Sequence, residues 1–304
     1  MAMKRIFSIL TCVMMLLTFA YAEGNTYTLV CPSGAPAVTV AKLAEKDPDH
    51  YRFIQADVIA AEFSNKAADF IIAPINAGAK LYKAGKSTYI LAAVVTQGNL
   101  VFASQRENFT IDDIEAQKII LFGENTINAS VALYVLQEKG IVPAEIDYRA
   151  AAAETQAMLM TDAEAIVLTA EPAVTAAKFK NDRITAIPLT EELNLLTGRT
   201  GYAQAGLFIK KETLEADPEG VKAYLEIVKE NIAEVSSDPE GTAKAAVSLE
   251  ILPNEKIATA AVPNCGITYI AGADAKGLVE FTAGIDLKQF GGEVPANEFY
   301  YAEK

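Results

Sequence analysis

The sequence predicts an α/β protein of two lobes, each a mainly parallel sheet flanked by helices, joined by two crossing strands. One pattern occurs twice, at residues 69–77 and 164–173: an acidic residue, an apolar run, a turn that contains Pro, and a helical stretch. A helix-like stretch precedes each copy, at residues 56–66 and 152–160. Strands that alternate with helices form a largely parallel sheet covered on both faces. The repeat therefore predicts two similar lobes with a cleft between them.

The first lobe begins with a short apolar strand and continues as strand, helix and strand. Residues 88–103 are long, apolar and rich in β-formers, with a break at Gln97-Gly98-Asn99, which is typical of a chain that crosses between lobes. The strands predicted here are residues 27–31, 51–54 and 70–73, with helical patterns in 38–44, 58–63 and up to 81.

The second lobe repeats the alternation and opens with a capping box formed by Thr110 and Asp113. Its predicted strands are residues 118–122, 145–149, 165–168 and 185–187, with helices at 131–136, 152–160 and 172–179. A strand at residues 203–210 is expected to cross back. The domains predicted are therefore a signal peptide at 1–22, lobe I at 23–98 plus 206–304, and lobe II at 99–205.

The last part of the chain is predicted to be mainly helical. Asp217 and Asp238 are each followed by Pro, so both are expected to cap a helix whose first residue is Pro. A short extended segment at 267–269 and a helix at 274–284 follow. The first of the two capped helices has an apolar stripe at helical spacing, made of Val221, Tyr224, Leu225, Val228, Ile232 and Val235.

The N-terminus reads as a secretory signal peptide. Lys4 and Arg5 precede an apolar run at residues 6–19, and Ala20-Tyr21-Ala22 fits a cleavage site after Ala22. The run is shorter than the ~20 apolar residues that span a bilayer. Cleavage takes the net charge from −13 to −15, since two basic residues and no acidic residue are lost. We expect a soluble periplasmic product and no nucleic-acid partner, because nucleic acid attracts basic patches.

Cysteine and histidine are too few to predict a metal site. The mature chain keeps Cys31 and Cys265, for which export permits a disulfide and two buried thiols are the alternative. His50 is the only histidine, and its spacing from these cysteines is not that of a zinc site. It lies in a predicted loop, where it is a poor base for a catalytic triad. No Walker A, GxGxxG or HExxH motif occurs.

Ligands of open α/β sheets bind beyond the carboxyl ends of the strands, and this rule selects the candidate site. Glycine there permits close backbone approach, and a helix N-terminus offers free N–H groups. Each residue alone is also explained as a cap or a turn former. The candidates are Ser33, Gly34, Ala35, Pro74, Asn76, Gln97, Glu124, Asn125, Thr126, Glu171, Tyr202 and Gln204.

A known family is recognisable in five ordered pieces: Pro32-Ser33-Gly34, residues 68–74, residues 114–123, residues 165–172 and residues 207–225. With the export signal, these resemble the type 2 periplasmic solute-binding proteins of ABC importers, in the branch for nitrate, sulfonate, taurine and thiamine-pyrimidine ligands. The resemblance implies a monomer without a cofactor. It also implies that the lobes close on a small-molecule ligand and that the closed form docks on a membrane permease.

The resemblance further implies that closure is a rotation about two hinges, near residues 97–101 and 202–206. The sequence departs from a strong anion binder, because the candidate turns contain no arginine and only Arg199 is near. Glu124 and Glu171 add negative charge, so a small polar or weakly charged organic ligand is expected. Tyr202 is the candidate aromatic platform, since the chain has no Trp.

Two other functions stay open at this point. A sensor or interaction protein could use the same fold to report a ligand to a membrane receptor. An enzyme related to the menaquinone-pathway or pyrimidine-synthase proteins is opposed by the export signal. Glu124 and Glu171 could act as an acid–base pair, bind an amine or be surface charge. We expect no catalytic residue, no metal and no enzyme activity.

Overall fold

The computed structural model describes residues 27–302, in which eleven strands form two sheets. The predicted signal peptide and its cleavage after Ala22 lie outside the described residues. The first sheet contains β1 (Leu29–Pro32), β2 (Tyr51–Ile54), β3 (Phe70–Pro74), β4 (Tyr89–Thr96), β10 (Ala205–Lys210) and β11 (Ile267–Ala271). The second contains β5 (Leu100–Ser104), β6 (Lys118–Phe122), β7 (Glu145–Arg149), β8 (Ile166–Ala170) and β9 (Thr185–Pro188).

The strand order is β11-β4-β10-β3-β1-β2 in the first sheet and β7-β6-β8-β5-β9 in the second. Both sheets are mixed. In the first, β10 and β11 run against the other four strands, and in the second only β5 is opposed. The α/β class with two helix-flanked sheets is confirmed, and most strands of each sheet run in one direction.

The direction of β5 and β10 follows from the connections between the sheets. Leu100, the first residue of β5, pairs with Ala170, the last residue of β8. Likewise Ala205, the first residue of β10, pairs with Thr96 at the end of β4. A strand that arrives from the other sheet starts at the edge where its neighbours end, so it must run against them.

Helices cover both faces of the two sheets. Those before β10 are Ala35–Val38, Ala41–Lys46, Ile59–Asn65, Ile75–Lys83, Ile127–Glu138, Ala152–Thr161, Ala173–Lys178 and Leu189–Thr197. Those after it are Lys211–Ala216, Pro218–Ser237, Pro239–Ser248, Glu255–Ala261 and Lys276–Ile285. None of the helices in the described part is both long and apolar enough to cross a membrane.

The predicted helix starts are confirmed. Asp217 and Asp238 accept hydrogen bonds from the backbone N–H of Gly220 and Gly241, each at 3.0 Å. Thr110 and Asp113 form the reciprocal capping box. The stripe predicted for helix Pro218–Ser237 is buried at all of its positions.

The two chain segments between the sheets lie side by side. The first is residues 97–99, between β4 and β5, and the second is residues 198–204, which precede β10. The backbone N–H of Tyr202 donates to the Gln97 carbonyl, and that of Gln204 donates to Thr96, both at 3.1 Å. The exact lobe limits of 98/99 and 205/206 stay a prediction.

The hydrophobic core is continuous between the sheets on one face only. Since side chains alternate along a strand, Phe208 and Phe102 lie on one face and Leu207 and Val101 on the other. Phe208 and Phe102 belong to one core cluster that spans both sheets. Leu207 and Val101 belong to separate clusters. The second face, called the cleft face below, therefore leaves space between the lobes.

The cysteines are two free buried thiols, so the disulfide alternative is wrong and the thiol alternative is confirmed. Cys31 Sγ donates to the Pro32 carbonyl and Cys265 Sγ to the Ala261 carbonyl, each at 3.3 Å. Burial raises the pKa of both thiols, and the charge of Glu171 raises that of Cys265 further. His50 Nδ1 lies 2.8 Å from Oδ2 of Asp47, three residues earlier in the chain.

Candidate functional site

A cavity of about 690 Å³ lies between the two sheets, next to the segments that join them. The joining segments contribute Gln97, Asn99 and Thr200, and the second sheet with its helices contributes Glu171. Asn264 and its neighbours on the first sheet form the opposite wall. Val101 also lines the cavity, which places it on the cleft face. This volume is in the range of small-molecule sites.

Glu171 is held in place by the first joining segment. Its backbone N–H donates to the Asn99 carbonyl at 2.9 Å, and Asn99 Nδ2 donates to its carbonyl at 2.8 Å. Its carboxylate accepts hydrogen bonds from Thr175, from Oγ1 at 2.9 Å and from the backbone N–H at 3.3 Å. The residue is 8% exposed. A carboxylate thus lies buried at the floor of the cavity.

Burial raises the pKa of the Glu171 carboxyl above its ordinary value of 4.5, although the bonds from Thr175 and the charge of Lys178 oppose the shift. A raised pKa in the folded protein means that the proton is held more tightly than in the unfolded chain. The contribution of Glu171 to stability is therefore present in full below the unfolded value. It is lost as the pH rises through the folded value.

We expect this effect to appear when the wild type is compared with Glu171→Gln. The melting temperature of the wild type relative to the variant should fall as the pH rises from about 4.5 to 8, because only the wild type must ionise a buried carboxyl. Differential scanning calorimetry in the absence of added solute measures it. Glu138→Gln, at an exposed position, is the control and should give a flat difference. A flat difference for Glu171→Gln as well would contradict the prediction.

Amide side chains tie the two joining segments together beside the cavity. Gln204 Nε2 donates to Asn99 Oδ1 at 2.8 Å, and Gln97 Nε2 donates to Thr200 Oγ1 at 3.3 Å. Thr96 Oγ1 donates to Gln204 Oε1 at 3.4 Å. Gln204 therefore holds the Asn99 side chain in place without lining the cavity, whereas Gln97 and Asn99 line it.

The mouth of the cavity is bridged by two helices, one from each side. Helix Glu255–Ala261 packs against helix Ala173–Lys178, and Lys256 Nζ lies 5.0 Å from the centre of the Phe179 ring. Phe179 lines the cavity and is 44% exposed. These contacts connect the two sides of the cavity.

Of the predicted candidates, Gln97 and Glu171 line the cavity. Ser33, Gly34 and Ala35 lie on the cleft face, outside the lining, where Ser33 is exposed. The helix that they begin, Ala35–Val38, has only four residues. Their part in binding stays a prediction.

The remaining candidates lie away from the cavity. Pro74 and Asn76 precede or begin helix Ile75–Lys83, which packs into the continuous core of the opposite face. Glu124, Asn125 and Thr126 precede helix Ile127–Glu138 on that same face, and Glu124 and Asn125 are exposed.

Tyr202 lies under the first joining segment and presents no ring face to the cavity. Its side chain is fully buried, and a Cβ on Gly98 would lie 2.4 Å from its Cε1. Burial raises the pKa of its hydroxyl. The expectation that Tyr202 is an aromatic platform for a ligand ring does not fit this placement.

Several lining residues were not among the candidates: Asn99, Thr175, Lys178, Thr190, Glu191, Thr200 and Asn264. Thr175 follows Glu171 by four residues, the spacing of one helical turn, and that signal could have identified it. Asn264 belongs to a turn that is distant in the chain. Within residues 27–302, no group of three His, Cys, Asp or Glu side chains could hold a metal ion.

Solved structures of other proteins share this architecture. An ABC transporter protein from Parabacteroides distasonis has a TM-score of 0.78 and 18% identity, over 92% of this chain and 100% of its own. The periplasmic aliphatic sulphonate-binding protein SsuA of Escherichia coli has a TM-score of 0.72 and 14% identity, over 91% and 92%. A nitrate transport protein of Thermoplasma volcanium has a TM-score of 0.55 and 11% identity, over 90% and 97%.

By sequence, no protein-family model matches the chain and no curated protein matches it. The likeness to the solved structures is one of fold. The chain has the fold of the substrate-binding proteins of ABC importers, with two mixed sheets and a cavity between them. The resemblance found in the sequence is confirmed at this level.

Proposed function

We propose that the protein is an extracytoplasmic substrate-binding protein of an ABC importer. It captures a small polar solute in the cavity between the sheets and delivers it to a membrane permease. The observation that supports this most directly is the cavity, because its lining comes from both sheets and from both joining segments. A solute bound there contacts both lobes at once.

The proposed mechanism is a shift of population between open and closed lobes. A solute that contacts both lobes stabilises the closed form by its differential affinity for that form. Residues 97–101 and 202–206 act as the hinges, and the contact between Lys256 and Phe179 is the gate that parts. The closed form then docks on the permease.

The chemistry of the lining supports binding more than catalysis. The polar side chains are amides, threonines, two glutamates and one lysine. The described residues that line the cavity include no serine, cysteine or histidine.

The test is a binding screen followed by scattering, on the mature chain of residues 23–304. A solute at a hundred times its Kd adds about 2.7 kcal/mol to the folded state. That should raise the melting temperature by roughly 5–10 °C at this size. The same solute should lower the radius of gyration in small-angle X-ray scattering as the lobes close.

A matched pair of variants shows whether the cavity is the site. Thr190→Trp places an indole at the cavity wall and should abolish both responses. Val142→Trp makes a comparable change at a position that is 67% exposed and outside the lining, and both responses should remain. An unchanged radius of gyration with a solute that clearly binds would contradict closure. Binding retained in Thr190→Trp would place the site elsewhere.

A further inference from the structure

We infer that the cavity selects a solute with a cationic nitrogen, a primary or secondary ammonium group, which the carboxylate of Glu171 binds. The inference rests on the proposed function, because it names the ligand class of the same site. It differs from the sulphonate and nitrate named for the proteins of similar fold.

Glu171 is a buried carboxylate that forms no ion pair within the described residues. It is 8% exposed, and within residues 27–302 no Lys, Arg or His nitrogen lies within 4.0 Å of it. A buried charge is costly unless it is paired. A cationic ligand would supply the missing partner at the one place where the carboxylate meets the cavity.

The Glu171 carboxylate has more acceptor positions than the protein fills. An ionised carboxylate offers about four acceptor positions. Thr175 occupies two of them, one on each oxygen, through its hydroxyl and its backbone N–H. The remaining positions are open to donors of a ligand, and an ammonium group carries only donors.

The amide side chains that line the cavity offer acceptor atoms to a ligand. Gln97 and Asn264 each donate one amide N–H within the protein, to Thr200 Oγ1 and to the Ala260 carbonyl. Asn99 donates one amide N–H to the Glu171 carbonyl and accepts from Gln204 at its side-chain oxygen. Within residues 27–302 the side-chain oxygens of Gln97 and Asn264 accept no hydrogen bond, so both are acceptors open to an ammonium group, and each amide also keeps one unused N–H.

Groups that bind anions are few at this cavity. No arginine is among the described residues that line it, and the N–H of Thr175, at the start of helix Ala173–Lys178, already donates to Glu171. Two lysines are near the cavity. Lys178 lines it and is exposed, whereas Lys256 lies on the Phe179 ring and is not part of the lining. Glu191, also in the lining and exposed, offsets Lys178. The net charge of the whole chain, −13, attracts cations rather than anions.

The experiment compares head groups on one carbon skeleton. Butyl and phenylethyl compounds are titrated as the ammonium, the alcohol and the sulfonate, by calorimetry and thermal shift, against the wild type, Glu171→Gln and Glu138→Gln. Glu138→Gln makes the same charge change at an exposed position outside the cavity. We expect the ammonium compound of at least one skeleton to bind best. Glu171→Gln should weaken it about 10- to 100-fold, the range for a hydrogen bond to a charged group, and Glu138→Gln should leave it unchanged.

The other outcomes overturn the inference. The inference is wrong if the alcohol or the sulfonate binds more tightly than the ammonium compound. It is also wrong if Glu171→Gln leaves the affinity for the ammonium compound unchanged. If no ammonium compound binds while another solute closes the lobes, the charge inference fails and the proposed function stands. If no solute of any class binds to the folded protein, both fail.

Discussion

Gly98→Ala is expected to lower the free energy of unfolding by about 2–6 kcal/mol. Gly98 has φ = +110°, a backbone conformation that costs an L-residue ~1–3 kcal/mol. The added Cβ would also lie 2.4 Å from Cε1 of the buried Tyr202 ring, and overpacking of this kind costs ~1–3 kcal/mol. The ring cannot move aside easily, because the Tyr202 side chain is fully buried.

Urea unfolding followed by circular dichroism measures this loss, and Gly34→Ala is the matched control for stability. Gly34 has a similar φ of +104°, but no atom of residues 27–302 lies within 4 Å of a Cβ at that position. The control should therefore show the backbone cost alone. Equal losses in the two variants would mean that the contact with Tyr202 contributes nothing, and the packing argument would fail.

Phe208→Ala is expected to cost about 3–5 kcal/mol, the usual range for truncating a buried aromatic side chain. The ring is fully buried on β10 and packs edge-on against the Phe63 ring, with 5.1 Å between the ring centres. The centre of the Phe299 ring lies 6.0 Å from the centre of the Phe208 ring. Helix Ile75–Lys83 also crosses the Phe208 ring so closely that a Cβ on Gly78 would lie 2.4 Å from its Cζ. Three separate segments meet at this ring, so collapse around the smaller side chain is difficult.

The same unfolding assay tests Phe208→Ala, with Phe179→Ala as its control. Phe179 is 44% exposed at the mouth of the cavity, so its truncation should cost well under half as much. A loss for Phe208→Ala no larger than that of the control would show that the core around β10 rearranges, contrary to the prediction.

The local elements could be predicted because their causes are local. The Asp-Pro helix starts, the capping box at Thr110 and the break at residues 97–99 depend on side chains within a few residues of each other, and all are found in the structure. Helix Leu189–Thr197 was missed. Residues 291–302 carry no clear sequence pattern, although the Tyr301 N–H donates to the carbonyl of Leu91, a residue of β4. That pairing joins positions more than two hundred residues apart, and no local pattern signals it.

The site was predicted only in part, for a geometric reason. The strand-end rule places Asn76 and Glu171 at equivalent points of their sheets. The helices that follow them lie on opposite faces, and only the face of Glu171 contains the cavity. The face that a helix covers depends on the order of the strands and on the path of the connection. The sequence of the turn determines neither the strand order nor the path of the connection.

The sequence by itself determined the α/β class, the two-sheet repeat, the crossing at residues 97–99 and Glu171 as a candidate. These follow from periodicity, capping and turn chemistry, which act over a few residues. The tertiary structure decided which strand ends share the cavity, and it brought Asn264 opposite Glu171. It also buried Tyr202 beneath Gly98 and, within the described residues, left Glu171 without an ion-pair partner. Burial and pairing depend on the packing of segments far apart in the chain, so only the folded arrangement of both sheets determines them.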